Sequence, residues 1–157
     1  MARVAPILSC LISLLIIAGC DSGLKPPFED PLPPGAIRGT ISYSGEWPPQ
    51  QSLVDLRFVP LTKAPQTVFD IFADLENLRF SGRLQYFVQD DTFIVEDVVN
   101  GVYVYNIIAQ QFGNNILADW RPVGIYTEND GIIVVNGDTT TIHIHVDFDN
   151  LPPFPPE

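Results

Sequence analysis

The stretch IIVVNGDTTTIHIHVDF, residues 132–148, carries the strongest hairpin signal of this chain. Its second half alternates apolar and polar residues, which is the pattern of a strand with one buried face. The Asn-Gly-Asp sequence at 136–138 separates two β-rich runs and is typical of a tight turn. We therefore predict strands at 132–135 and 140–148 that pair as a hairpin.

The chain after Gly35 consists of short β-rich runs separated by turn residues. Turn signals stand at Asn100-Gly101 and at 129–131. The run 102–109 is apolar on both faces, as expected of a central strand. Further strands are predicted at 36–43, 53–59, 84–88, 92–98 and 122–127. About seven to eight strands with turns at this spacing predict an all-β fold, a Greek-key β-sandwich.

The segment 67–78 departs from the β pattern. Its apolar residues fall at helical spacing, and Thr67 and Asp70 are placed to cap the start of a helix. The same residues also alternate, so a strand is the alternative. We predict a short helix here, inside an insertion at 61–82.

The first residues of the chain have the anatomy of a secretory signal: a charged residue, Arg3, then a short apolar run and small residues. The run is too short and too interrupted for a spanning helix. Its end, IAGC at 17–20, resembles the lipobox of bacterial lipoproteins. The resemblance implies that the Cys20 thiol receives a diacylglyceryl group with fatty acyl chains such as palmitate, and that the chain is cut before it. A plain secretory signal, which leaves Cys20 as a free thiol, is the alternative.

The predicted organisation is a lipoprotein signal peptide at 1–19, the lipidated cysteine with a proline-rich tether at 20–35, a β-sandwich domain at 36–149 and a proline-rich tail at 150–157. Proline favours extended polyproline II, so the tether should hold the domain away from the bilayer. Because Cys10 leaves with the signal peptide, Cys20 has no disulfide partner.

Charge narrows the class of partner. Removal of residues 1–19 leaves seven basic and 19 acidic residues, a net charge of −12. Such a surface repels phosphate backbones and anionic lipid headgroups, so no nucleic-acid partner is predicted. Attachment to a membrane must then come from lipid. We predict a location on a bacterial membrane, lipid-anchored and facing the periplasm or the cell exterior.

Over roughly 35–148, the order of elements resembles the carboxypeptidase regulatory-like, or transthyretin-like, β-sandwich domains. The resemblance is carried by Gly39-Thr40-Ile41, Leu56-x-Phe58 and FIVEDVVNGVY at 93–103. Within it, Gly101 is expected to supply the positive φ of a tight turn, and Tyr103 to pack inward with its hydroxyl on the backbone. The resemblance implies a binding or assembly module. The chain lacks the Tyr-Arg-Gly-Ser tail of the related hydroxyisourate hydrolases, so their activity is not carried over.

His143, His145 and Asp147 form the sharpest candidate for chemistry. At strand spacing their side chains emerge on one face, and imidazole nitrogen with carboxylate oxygen suits zinc or copper. A fourth ligand is not visible in the sequence, and an ordinary solvated strand face is the alternative. No cofactor and no catalytic residue are predicted, and a metal-dependent enzyme is the least favoured function.

Trp47 and Trp120 each lie in a loop beside proline, and Arg121 follows Trp120. Exposed, each tryptophan would form a platform for a sugar ring or a partner's side chain. Buried, each would plug one open end of the sandwich. The sequence predicts a non-catalytic binding or assembly module of the cell envelope that uses these loops, with an envelope protein or a glycan as partner. A carbohydrate- or small-ligand-binding lipoprotein is the alternative.

Overall fold

The structure is a computed structural model that describes residues 31–73 and 75–155. The predicted signal peptide at 1–19, Cys20 and most of the tether lie outside the described residues, as does the end of the proline-rich tail. In the part of the chain that is described, no helix has the length and hydropathy needed to cross a membrane.

The described residues form two β-sheets and one short helix. In chain order the elements are β1 (Gly35–Ser44), β2 (Asp55–Leu61), α1 (Val68–Phe72), β3 (Asp90–Val98), β4 (Gly101–Tyr103), β5 (Tyr105–Gln111), β6 (Trp120–Ile125), β7 (Ile133–Val135) and β8 (Thr139–Asp147), with single 3-10 turns at Gln50–Ser52 and Glu128–Gly131. The large sheet has the order β2-β5-β6-β8-β1-β3, and the small sheet pairs β4 with β7. The predicted all-β, sandwich-like fold is confirmed.

The large sheet folds over on itself. Phe58 and Phe93 lie on β2 and β3, the two edge strands, yet their rings stack with centroids 4.3 Å apart. The ladder between β6 and β8 is reduced to one residue pair, Gly124 with Val146. The sheet therefore divides there into a β2-β5-β6 layer and a β8-β1-β3 layer, with the main apolar core between them.

Alternation along β8 supplies much of this core, because every second side chain of a strand points to the same face. Ile142, Ile144 and Val146 are buried, whereas His143 and His145 between them are exposed. The small sheet closes the core with inward residues of β4 and β7.

A second apolar cluster lies on the outer face of the β2-β5-β6 layer. Every residue of β5 is buried, which agrees with the prediction of a central strand. Leu78, from the insertion, packs against this face together with Trp120. The cluster consists of Val59, Tyr105, Ile107 and Ala109, with Leu61, Leu78, Trp120 and Ile125 packed against it.

The predicted hairpin at 132–148 is wrong in its pairing. The turn itself forms, with Gly137 at φ 78°. However, β7 pairs with β4 in the small sheet, whereas β8 lies parallel to β1 in the large one. Turn residues specify a local change of direction, and the strands that follow are free to enter different sheets.

Two further strand predictions need correction. The run 102–109 divides at Val104, because β4 belongs to the small sheet and β5 to the large one. Residues 84–88 form no strand. Instead, Leu84 N–H donates to the carbonyl of Leu56, and Ser81 N–H to that of Phe58, so this segment covers the free edge of β2.

The turn before β4 is held by Tyr103, as predicted. This side chain is buried, and its hydroxyl donates to the carbonyl of Val99 at 2.8 Å. The expected positive φ at Gly101 is wrong, because the described glycines with positive φ are Gly45, Gly131 and Gly137. Gly101 instead begins β4 in extended backbone.

The insertion contains the predicted helix. Thr67 and Asp70 form a capping box: the Thr67 side chain accepts from Asp70 N–H, and the Asp70 carboxylate accepts from Thr67 N–H. The helix ends at Phe72 and buries none of its residues. It is therefore stabilised mainly by its cap, and only loosely by packing.

The segment before β1 is fastened to the small-sheet end of the domain. Asn100 Nδ2 donates to the carbonyls of Leu32 and Pro33, each at 3.0 Å. Its Oδ1 accepts from Gly137 N–H at 2.7 Å. Asn100 thus fixes residues 32 and 33 against the folded domain.

Candidate functional site

The loop between β5 and β6, residues 112–119, is held by several internal hydrogen bonds. Phe112 N–H donates to the carbonyl of Asp119 at 2.9 Å, which closes the base of the loop. Asp119 Oδ2 accepts from Asn115 N–H at 2.8 Å, and Asn115 Oδ1 accepts from Leu117 N–H at 3.1 Å. These bonds hold the loop from within.

Gly113 completes the loop, because a side chain has no room there. A β-carbon on Gly113 would lie 2.3 Å from Asp119 Oδ2. The loop therefore depends on close packing between its two arms.

Trp120 supports the loop from below. Its indole Nε1–H donates to the carbonyl of Ile116 at 2.9 Å, and its ring packs on the second apolar cluster. Trp120 is half-buried. The sequence predicts either an exposed platform or a plug at this position. The contacts of Trp120 are closer to those of a plug, because its ring is packed and its N–H supports the loop.

Arg121 also faces inward. Its Nε–H donates to Gln110 Oε1 at 2.9 Å, and Gln110 Nε2 donates to the carbonyl of Ser52 at 2.7 Å. The guanidinium lies 5.5 Å from the centre of the Phe112 ring, within cation–π range. Arg121 thus connects the buried amide of Gln110 with the start of the loop.

The loop presents three large apolar side chains to solvent. Ile116 is 60% exposed, Leu117 is 54% exposed and Phe112 is 39% exposed. We call these three residues the loop tip. Large apolar side chains on a rigid, protruding loop are the anchors that fill pockets on a partner.

Trp47 lies in a different place. Its ring is half-buried and contacts three other aromatic rings, at centroid distances of 4.8 Å to Tyr43, 5.6 Å to Phe87 and 4.5 Å to Phe148. The rings pack against the edge of the main core. This arrangement agrees with the prediction of a plug, and no contact joins Trp47 to Trp120 among the described residues.

The aromatic cluster around Trp47 contains an unsatisfied hydroxyl. Tyr43 Oη is buried and has no hydrogen-bond partner among the described residues. Burial, with a smaller contribution from the charge of Asp91, raises the pKa of Tyr43 well above its usual value. The phenol therefore stays neutral and acts as part of the apolar plug.

His143 and His145 lie on the exposed face of β8, as predicted, and each ring nitrogen contacts a hydroxyl of β1. The contacts alternate between imidazole and hydroxyl to form a ladder across the two parallel strands. Its distances are 2.9 Å from Thr40 to His143 Nδ1, 3.3 Å from His143 Nε2 to Ser42, 2.9 Å from Ser42 to His145 Nδ1, and 3.0 Å from His145 Nε2 to Ser44.

Asp147 does not join the two histidines in a metal centre. Its Oδ1 accepts from Asp149 N–H at 3.1 Å, so the carboxylate caps the turn that follows β8. Within 31–73 and 75–155, no group of three His, Cys, Asp or Glu side chains is arranged to hold a metal ion.

Trp120 and Arg121, which the sequence predicts as a surface for a partner, support the loop. Ile116 and Leu117, which the loop exposes, were not predicted. The available signal was the apolar pair Ile116-Leu117 between Asn115 and Ala118-Asp119, because two aliphatic residues inside a polar turn have no strand or helix period to explain them.

No family model matches this chain, and neither a curated protein nor a solved structure gives a significant match.

Proposed function

We propose that this protein is a lipid-anchored, extracytoplasmic binding module that docks a protein of the cell envelope through its loop tip. The observation that carries the proposal is the hydrogen-bonded loop that holds Ile116 and Leu117 exposed at a fixed place. An ordered loop loses little conformational entropy on binding, which favours association. No catalytic residue is needed for this role.

A protein partner is favoured over a bilayer for the loop tip because of charge. A domain with an excess of acidic residues is repelled by anionic lipid headgroups, so apolar side chains alone must drive any insertion. A pocket on a protein accommodates two aliphatic side chains without bringing the acidic surface against a charged membrane. The partner expected is therefore an envelope protein with an apolar groove.

The anchor is proposed to be a diacylglyceryl group on Cys20, followed by the proline-rich tether. A shared membrane raises the effective concentration of the module and its partner, so a small contact area suffices. The hydrogen bonds from Asn100 to Leu32 and Pro33 support this arrangement, because they set where the proposed tether joins the folded domain. We also propose a relationship to the carboxypeptidase regulatory-like domains, on the motifs described above.

The docking role is tested by placing a photo-crosslinking amino acid at Leu117 in the native cells, with Thr141 as the control position. Thr141 is exposed on β8. We expect one protein adduct from Leu117 and none from Thr141. The adduct partner is then purified, and its affinity for the intact protein is expected to fall at least tenfold in the double variant Ile116→Ser, Leu117→Ser.

Three results would contradict the docking role: no adduct from Leu117 in cells where the protein is abundant, adducts to lipid alone, or equal adducts from both positions. The anchor is tested separately with Cys20→Ala, which should move the protein out of the membrane fraction. Unchanged membrane partitioning of Cys20→Ala would show that the anchor is wrong, whatever the result at Leu117.

A further inference from the structure

A cavity of about 540 Å³ lies beneath the insertion, away from the loop tip. One wall is formed by residues 60–66, and another by five residues of the insertion: Asp70, Ile71, Ala73, Asn77 and Leu78. The turn from Val99 to Tyr103 forms the third side. The volume falls within the range of pockets that hold small organic ligands.

The lining of the cavity is mainly apolar. Aliphatic and prolyl side chains supply most of its surface, and the hydroxyl of Tyr103 is already bonded to the carbonyl of Val99. The apolar lining includes Leu61, Ala64, Pro65, Ile71 and Leu78. A ligand that fills this space must therefore carry an apolar body.

Lys63 supplies the positive charge of the cavity. Most other cations of the described residues are engaged: Arg57 and Arg83 bind Asp55, and Arg79 donates to backbone carbonyls. The ammonium of Lys63 has no ion pair or hydrogen bond within the described part of the chain. An apolar cavity with one unpaired ammonium is complementary to a molecule with one anionic group.

Asp70 also lines the cavity, but its charge is already compensated. Its Oδ2 accepts from Gln66 N–H at 2.9 Å and from Thr67 N–H at 2.8 Å. These two donors, at the start of α1, reduce the repulsion that a second anion would meet. Lys63 also lies close enough for its charge to help lower the pKa of Asp70, so a ligand carboxylate would share this ammonium with Asp70.

We propose that this cavity is a binding site for a small amphipathic carboxylate, with the carboxylate on Lys63 and the apolar body between the insertion and the Val99–Tyr103 turn. The site is independent of the loop tip and of the lipid anchor. Because α1 buries none of its residues, the insertion wall can adjust to the ligand with little loss of packing.

The probe that tests this site is 3-phenylpropanoate, titrated against the full-length protein in nanodiscs and followed by saturation-transfer NMR, with empty nanodiscs as the reference. We expect saturable binding of the carboxylate and about two- to fivefold weaker binding of the neutral analogue 3-phenylpropan-1-ol, because the alcohol cannot form the partly exposed ion pair with Lys63. Equal binding of acid and alcohol would overturn the proposal.

Two variants locate the site. Lys63→Gln should weaken the binding of 3-phenylpropanoate about two- to fivefold, whereas Arg38→Gln, which removes an exposed charge from β1, should leave it unchanged. Gly101→Leu should abolish binding, because a β-carbon on Gly101 meets no atom within 4 Å and the side chain can extend into the cavity it lines. Unchanged affinity in either Lys63→Gln or Gly101→Leu, with the fold intact, would also overturn the proposal.

Discussion

The ring of Phe93 occupies the space that a β-carbon on Gly39 would need. The two residues are paired across β1 and β3, and a β-carbon on Gly39 would lie 2.2 Å from Phe93 Cζ. The same ring stacks on Phe58 from the opposite layer of the sheet. The absence of a side chain at Gly39 is therefore what lets the two layers meet.

Gly39→Ala should destabilise the domain by about 1–3 kcal/mol, because an added methyl group must displace a packed aromatic ring. Urea denaturation, followed by tryptophan fluorescence, measures the change. The matched control is Gly82→Ala, where a β-carbon meets no atom within 4 Å and stability should change little. Equal effects of the two substitutions would contradict the packing argument.

Ser81→Ala should cost about 1–3 kcal/mol, because it leaves a buried donor of β2 without its acceptor. Ser81 is buried, and its hydroxyl accepts from Phe58 N–H at 3.0 Å and donates to the carbonyl of Gly82 at 2.7 Å. Ser52→Ala is the control, since Ser52 contributes its backbone carbonyl and not its hydroxyl to the bond with Gln110. An unchanged free energy of unfolding in Ser81→Ala would show that the edge of β2 does not depend on this hydrogen bond.

Trp120→Phe should loosen the loop that carries Ile116 and Leu117 while the ring continues to pack on β5. The substitution removes the indole N–H that donates to the carbonyl of Ile116. Hydrogen exchange of the amides at 112–119 should become faster, and exchange in β8 should not change. Unaltered protection of the loop would mean that the bonds to Asp119 and Asn115 are sufficient by themselves.

The imidazole ladder predicts the tautomer of both histidines. We expect Ser44 to donate its proton to the carbonyl of Val146, 3.5 Å away, so that its oxygen accepts from His145 Nε2–H. His145 Nδ1 then accepts from Ser42, whose oxygen in turn accepts from His143 Nε2–H. Both neutral rings should therefore carry the proton on Nε2, which long-range ¹⁵N NMR reports directly. Ser42→Ala interrupts the chain and should leave His143 free to exchange tautomers. A proton on Nδ1 of either histidine in the unaltered protein would contradict this assignment of tautomers.

The hydrogen bonds that cap α1 should depend on pH only at acidic pH. Backbone N–H groups of Thr67 and Gln66 bind the Asp70 carboxylate and hold its pKa below the usual value. A lowered pKa in the folded state means that the cap is fully present above the unfolded value of about 4 and is lost as the pH falls through the lower, folded value. The amide resonance of Thr67 should stay constant from neutral pH to about 5 and shift only at more acidic pH. In Asp70→Asn this step should be absent, and a step near neutrality would contradict the assignment.

Local sequence patterns predicted much of the fold because they report local geometry. Alternation placed β1 and β8 within a few residues of their observed ends, and the Thr67–Asp70 capping box located α1. The same patterns carry no information about which strand pairs with which. The run 102–109 was therefore predicted as one strand, although the chain passes from one sheet to the other at Val104.

The candidate site was harder to predict for a related physical reason. Trp120 and Arg121 are chemically conspicuous, but a large side chain can serve equally well as support or as contact surface. Only the bonds from Trp120 to Ile116 and from Arg121 to Gln110 distinguish these roles. The exposure of Ile116 and Leu117 depends on those bonds, so it follows from tertiary structure and not from composition.

The position of β8 between β6 and β1 has a consequence for how the chain must fold. The final described strand joins the two layers, and its partner β1 is the first described strand, so Thr40 and His143 must find each other across 103 residues of the chain. Such long sequence separations slow folding. A ribosome or a secretion channel that still holds the last strand therefore holds a chain whose two layers cannot yet close. For a protein proposed to cross a membrane before it acts, β8 must therefore be released before the two layers can close.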